Sequence, residues 1–261
     1  MNILLSLNYK CFKMKPESLI RYIKNIDELK IVKGFEVNAS TDDDKKYLID
    51  LANECNKNSY ILNIHLPSLS NIEEYKQYLN YINSITNIYN KKINMVLHPI
   101  YSKNKNESIK NTEKYVYEIL KYIKNNNYNV CLSIENLNNI NGNYRLKKED
   151  FKNLLEKYEE LKFTYDIGHE YIDNSLKYGI DNIYIKKMSN IHVHTFKEKE
   201  DHYPIEEIDE ILLNKLIEIK SKGYDNNIVL EYALDYINGD NFHEKLRKYI
   251  KYSEIMNNYI N

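Results

Sequence analysis

Tryptophan is absent from this chain of 261 residues, and glycine (6), proline (4) and cysteine (3) are scarce. Each scarcity excludes something. Cys11, Cys55 and Cys131 are odd in number and unclustered, which argues against a disulfide framework or a thiolate zinc site and for a reducing compartment. So few glycines leave no G-x-G-x-x-G and no G-x-x-x-x-G-K-[ST], so neither dinucleotide binding nor P-loop phosphate cradling has support. Arginine is limited to Arg21, Arg145 and Arg247, and the net charge is −1, so no overall basic field draws in nucleic acid. No apolar run approaches the roughly 18 residues of a membrane span. The opening MNILLSLNYKCFKMKPES lacks a basic start followed by a long apolar core. The expectation is a soluble, cytoplasmic protein with no membrane partner.

What is present is ordinary globular composition, 43% hydrophobic and 29% charged, ample for one sizeable core. Lysine, asparagine, isoleucine and tyrosine are heavily used, as AT-rich codons would produce. The 26 tyrosines therefore need not form a base-stacking platform; most are expected half-buried with a wet hydroxyl.

Short apolar runs recur along the chain: ILLSL (3–7), GFEVN (34–38), YILNIH (60–65), INMVLH (93–98), VCLSIE (130–135), KFTYD (162–166), NIHVH (190–194) and IVLEY (228–232). Each is too short for a helix and reads as apolar on both faces, as in the strands of a buried parallel sheet. Helical patterns lie between them. Asp42, Asp43 and Asp44 favour a helix start, with Leu48, Leu51, Ala52 and Cys55 following at helical spacing. Tyr115, Val116, Ile119, Leu120 and Ile123 repeat the pattern, as do Phe151, Leu154, Leu155 and Tyr158. Eight strands alternating with helices predict an α/β fold, a (β/α)8 TIM barrel spanning 1–261 as a single domain.

The polar residues of these runs gather at their carboxyl ends: Glu36, His65, His98, Glu135, Asp166, His192 and Glu231. In a barrel those ends converge on one mouth, where active sites are built. So many carboxylates in one low-dielectric mouth are unfavourable without positive charge, and a divalent cation supplies it. Imidazole with carboxylate and no thiolate suits zinc, manganese, cobalt or iron. In FTYDIGHEYI, Asp166 can then reach a metal while His169, three residues on, faces substrate or a second ion.

Seven stretches in order, NIHLP, VLHPI, SIENL, YDIGH, IHVH, EDHYPI and VLEY, resemble the xylose isomerase-like TIM barrels. That superfamily holds sugar-phosphate isomerases and epimerases as well as endonuclease IV type AP endonucleases. The resemblance implies a shared metal on Glu135, Asp166, His192 and Glu231. An endonuclease IV-like arrangement would add one ion on His65, His98 and Glu135. A further ion would take His169 with Glu200 and His202, or with the adjacent Asp201. One to three zinc, manganese or cobalt ions are thus implied. The text departs from endonuclease IV after the strand-3 and strand-7 histidines, where HLPSLSNIEEY and HVHTFKEKEDHYPIEEID stand. It departs from the ketose 3-epimerases at ENLNNING and HVHTFKEKE.

The expected activity is isomerisation or epimerisation of a small sugar or sugar phosphate. Glu135 and Glu231 would pass the proton, His169 would orient a hydroxyl, and His65, His98, His194 and Arg145 are candidate substrate contacts. Alternatives are a metal-dependent lyase, and phosphodiester hydrolysis with DNA as partner, which His65, His98 and His202 favour and the scarce arginines oppose. A scaffold without catalysis would be expected to lose ligands. Tyr9 is a weaker substrate-contact candidate, and Glu36 reads as a hydrogen-bond partner at the mouth. The final segment NFHEKLRKYIKYSEIMNNYIN reads as the last barrel helix with an extension over the barrel base or a partner subunit, leaving a homo-oligomer open.

Overall fold

The computed structural model describes residues 1–7, 13–38, 42–69, 71–138, 144–172, 176, 179–197, 200–206 and 210–260, without the side chains of 42–44. Tyr9 and Cys11 lie outside the described residues.

Eight parallel strands close a barrel in the order β1 (Asn2–Leu7), β10 (Asn227–Leu230), β7 (Met188–Val193), β6 (Lys162–Asp166), β5 (Val130–Glu135), β4 (Ile93–Leu97), β3 (Ile61–His65) and β2 (Val32–Asn38). Around it run α1 (Pro16–Ile26), α2 (Asp42–Asn58), α3 (Ile72–Tyr89), α4 (Lys105–Asn125), α5 (Lys152–Lys157), α6 (Ile167–Ile172), α7 (Asn182–Lys187), α8 (Glu210–Ser221) and α9 (Phe242–Ile260). The expected (β/α)8 barrel is the fold. Helix starts follow local chemistry. Asn71 and Asn104 each accept a backbone N–H from Glu74 and Glu107, at 3.0 Å in both, and Pro16 opens α1.

The strands differ from the expectation of two apolar faces. Ile93, Met95 and Leu97 of β4, Leu132 and Ile134 of β5, and Phe163 and Tyr165 of β6 join the apolar cluster shared with the helices. The residues between them alternate to the other side and fill the barrel interior: Asn63, Ser133, Thr164 and Asn190 are all buried. Leu4, Val96 and Val229 are buried apart from that cluster. The core is therefore a shell between sheet and helices, and the interior is largely polar. Short β-branched runs concealed this period of two, because serine, threonine and asparagine read as strand filler.

Two further departures concern the mouth. β10 ends at Leu230, so Glu231 stands one residue past the strand, and Glu36 sits within β2 rather than at its tip. After β7, a short antiparallel hairpin of β8 (Thr195–Lys197) and β9 (Glu200–Tyr203) was not anticipated. Ala233 N–H donates to His202 O at 2.9 Å, which pins this hairpin to the segment after β10.

At the seam between β1 and β10 the last helix supplies a missing rung. Regular pairing stops at Leu5↔Leu230. Beyond it the Tyr249 hydroxyl of α9 accepts the Ser6 N–H at 3.1 Å and lies within hydrogen-bond reach of the Ser6 and Leu230 carbonyls.

Candidate metal centre

The β6–α6 junction is built around one carboxylate. Asp166 Oδ1 accepts the His169 N–H at 2.7 Å, capping the short helix that follows. The Asn136 amide, just past β5, donates to Asp166 O at 2.8 Å and accepts Asp166 N–H at 2.9 Å. His169 Nδ1 in turn lies 2.9 Å from Asn136 O, so as a donor there it leaves Nε2 free for a ligand. Behind this turn, Lys148 Nζ pairs with Glu170 Oε1 at 2.9 Å, and the Tyr165 hydroxyl donates to Glu170 Oε2 at 2.5 Å, all three buried.

Glu135 bridges two sets of imidazoles. Its Oε2 lies 3.2 Å from His65 Nε2 and 3.1 Å from His98 Nε2, while its Oε1 lies 3.0 Å from His192 Nδ1. Glu231 Oε2 approaches the same His192 Nδ1 at 3.0 Å, and Asp166 Oδ2 at 3.9 Å. Asp166 Oδ2 also lies 3.3 Å from His169 Nδ1 and 3.2 Å from His194 Nε2. Donor atoms within 4.8 Å of one another thus form four overlapping groups: His65, His98 and Glu135; Glu135, Asp166, His192 and Glu231; Asp166, His169 and His194; and His194, His202 and Glu231.

The hairpin delivers His202 with φ +63°, a left-handed backbone uncommon outside glycine but one that histidine tolerates better than most residues. Its Nδ1 lies 2.7 Å from Asp201 Oδ1 and its Nε2 3.6 Å from Glu231 Oε1. Glu200 is exposed and accepts a hydrogen bond from the Tyr236 hydroxyl at 2.8 Å, so it takes no place in these groups. His194 stands among the donors, although the sequence suggested only a substrate contact. Arg145 is half-buried after β5, with its guanidinium 5.6 Å from the Tyr101 ring centre. His243 packs its ring against Tyr22 at a 57° tilt, centroids 5.1 Å apart, and joins none of these groups.

Electrostatics show how strained this assembly of charges is. Burial disfavours the His65 imidazolium, but the Glu135 hydrogen bond and charge, with Glu231 and Glu36, outweigh it and hold the pKa up at about 9. His192 is raised well above its usual value against the same burial, by Glu36, Glu231 and Glu135. His202 is lifted to about 11, Glu231 and Asp201 overcoming burial. Glu135 and Glu231 are held well below the usual carboxylate range, burial being overcome chiefly by His192. His98 goes the other way, because burial exceeds the pull of Glu135.

The residues fit a divalent ion on an independent count. Glu231 Oε2, 3.0 Å from His192 Nδ1 at the point of convergence, is buried without a hydrogen-bond partner among the described residues. Carboxylate and imidazole donors converge with no thiolate, the set suited to zinc or manganese.

Two features at the mouth escaped sequence reading. Asn136 was visible only as the letter after Glu135. Gly168 matters because a Cβ there would lie 2.4 Å from the His194 ring. Its signal was a glycine inside a helix start, where glycine otherwise costs stability.

No protein-family model matches the chain, and no curated protein matches it. Solved structures do. The D-psicose 3-epimerase of Clostridium cellulolyticum H10, solved with D-tagatose, aligns at TM-score 0.67 and 13% identity, covering 99% of each chain. The 3-keto-D-glucoside 4-epimerase of E. coli aligns at 0.64 and 12%, covering 98% of this chain and 99% of that one. The IOLI protein, solved with a zinc atom, aligns at 0.62 and 12%, covering 98% of both. The fold is thereby that of a (β/α)8 TIM barrel. Within that class it is the xylose isomerase-like barrel that the ordered motifs resemble.

Proposed function

We propose that this chain is a divalent-metal-dependent isomerase or epimerase acting on a small sugar or sugar phosphate. The observation that carries the reading is the convergence of Glu135 and Glu231 on one point: each carboxylate lies 3.0 Å from His192 Nδ1, arriving from β5 and from the end of β10. Strands β6 and β7 lie between those two in the barrel, so the carboxylates face a bound substrate from two sides. Glu135, Asp166, His192 and Glu231 would hold the ion, whose charge stabilises a developing oxyanion on the sugar. One of the two glutamates removes a proton from the carbon beside the carbonyl, and the other returns one to the opposite face. His169, free at Nε2, orients a hydroxyl. Beside His194 a cavity of about 470 Å³, lined by Tyr171, Phe196, Tyr203 and Tyr236, receives the remainder of the substrate. The sugar epimerases and the zinc-bound protein among the structural neighbours support this reading.

The test is incubation of metal-loaded protein with ketohexoses in D2O. The expected result is a C3 epimer carrying deuterium at C3, the carbon beside the carbonyl, lost in Glu231→Gln. A phosphodiesterase is the second reading, favoured by the separate His65–His98–Glu135 group, which a one-ion isomerase does not need. Two or three tightly held ions per chain together with cleavage of DNA at abasic sites would establish it instead.

A further inference from the structure

Below the mouth, four asparagines from four strands form a directed chain of amides. Asn2 Nδ2 donates to Asn227 Oδ1 at 3.2 Å, and Asn227 Nδ2 donates to Asn190 Oδ1 at 3.4 Å. Asn63 Nδ2 donates to the same Asn190 oxygen at 3.2 Å. Asn190 Nδ2 then donates to Glu36 Oε2 at 3.0 Å. With this assignment of the amides, every donor points toward one buried carboxylate. Linked in series, the chain fixes the orientation of the Glu36 carboxyl group.

The other oxygen of that carboxylate faces a candidate ligand. Glu36 Oε1 lies 2.8 Å from His192 Nε2, and both atoms are buried with no hydrogen-bond partner among the described residues. The contact is short but off the line of the ring N–H. Each atom has only the other to satisfy it, and leaving both unsatisfied is costly. A proton on Nε2, turned toward Glu36, meets both needs. It also dictates the opposite side of the ring: Nδ1 then presents a lone pair to the point where Glu135 and Glu231 converge.

We propose that Glu36 is a positioning residue, which fixes the tautomer and orientation of His192 so that Nδ1 faces the metal, with the asparagine chain holding the Glu36 carboxyl group in place. The inference deepens the metal-centre reading and rests on it. A histidine ligand whose second nitrogen donates to a carboxylate is more basic and better aligned than a free one, and loss of such a partner typically weakens metal binding about 10–100-fold.

Zinc affinity, measured by competition with a chromophoric chelator, tests this in wild type, Glu36→Gln, Glu36→Ala, His192→Ala and the double variant Glu36→Ala/His192→Ala. Glu36→Ala should weaken zinc about 10–100-fold. Glu36→Gln, which keeps an acceptor oxygen, should lose less. In the His192→Ala background the Glu36 replacement should change affinity no further, a coupling that a merely structural role would not produce. Thermal unfolding of each metal-free variant identifies any that fails to fold, and Glu36→Gln then carries the comparison with and without His192. Wild-type affinity in Glu36→Ala, or an equal loss with and without His192, overturns the proposal while leaving the metal centre standing. A wild-type chain that binds no zinc overturns both.

Discussion

Gly168→Ala is the substitution whose outcome the geometry fixes most sharply. Gly168 is the second residue of α6, and an added Cβ would lie 2.4 Å from His194 Cε1 and 2.5 Å from both ring nitrogens. Reaching ordinary contact requires the ring to move by about 1 Å. His194 cannot move freely. Its Nε2 contacts Asp166 Oδ2 at 3.2 Å, and the His202 N–H reaches its Nδ1 at 3.2 Å. A 1 Å shift lengthens both beyond hydrogen-bonding range, at about 1 kcal/mol each. Overpacking adds about 1–3 kcal/mol. Against this, glycine to alanine inside a helix gains up to about 1 kcal/mol. The net expectation is a loss of about 2–4 kcal/mol in urea unfolding of the metal-free protein. In a His194→Ala background the clash disappears, so the same substitution should be neutral or stabilising. Equal losses in both backgrounds would show that Gly168 serves something other than His194, and the reasoning would fail.

Asp166→Asn and Glu135→Gln should each lower bound zinc by elemental analysis while far-UV circular dichroism stays unchanged, since both side chains point into the polar interior. Lys148→Met leaves Glu170 buried without its cation and should cost about 3–5 kcal/mol in chemical unfolding. Adding Glu170→Gln should recover most of that loss. In chelator-treated protein, His65 with its pKa raised from 6.5 to about 9 contributes stability below pH 6.5 that is lost as pH rises through 9. The urea midpoint should therefore fall between pH 6.5 and 9.5 more steeply in wild type than in His65→Ala, and parallel curves would contradict it.

The barrel was legible because its apolar runs recur between helical patterns, and because Glu135, Asp166 and His192 fall at the ends of those runs. Their gathering followed from barrel geometry alone. The hairpin was not legible: Thr195–Lys197 and Glu200–Tyr203 are three and four residues long, below the length at which alternation can be recognised. That hairpin turns Glu200 outward, to Tyr236, and places Asp201 beside His202, so the choice between Glu200 and Asp201 lay beyond sequence spacing. The pairing of Glu36 with His192 joins residues 156 positions apart in the chain, on strands β2 and β7, which β1 and β10 separate in the barrel. No local pattern announces such a contact.

The Tyr249 hydroxyl at the β1–β10 seam has a consequence for synthesis. The strand made first and the strand made last must meet, and the groups that pairing leaves unmet, Ser6 N–H among them, wait for a helix made later still. A nascent chain on the ribosome therefore holds two open sheet edges through almost the whole of translation, and open edges invite pairing with other chains. The seam is complete only when Tyr249 of α9 has arrived. Chains halted before Tyr249 should collect in aggregates or on chaperones, and the final helix acts as the clasp of the barrel.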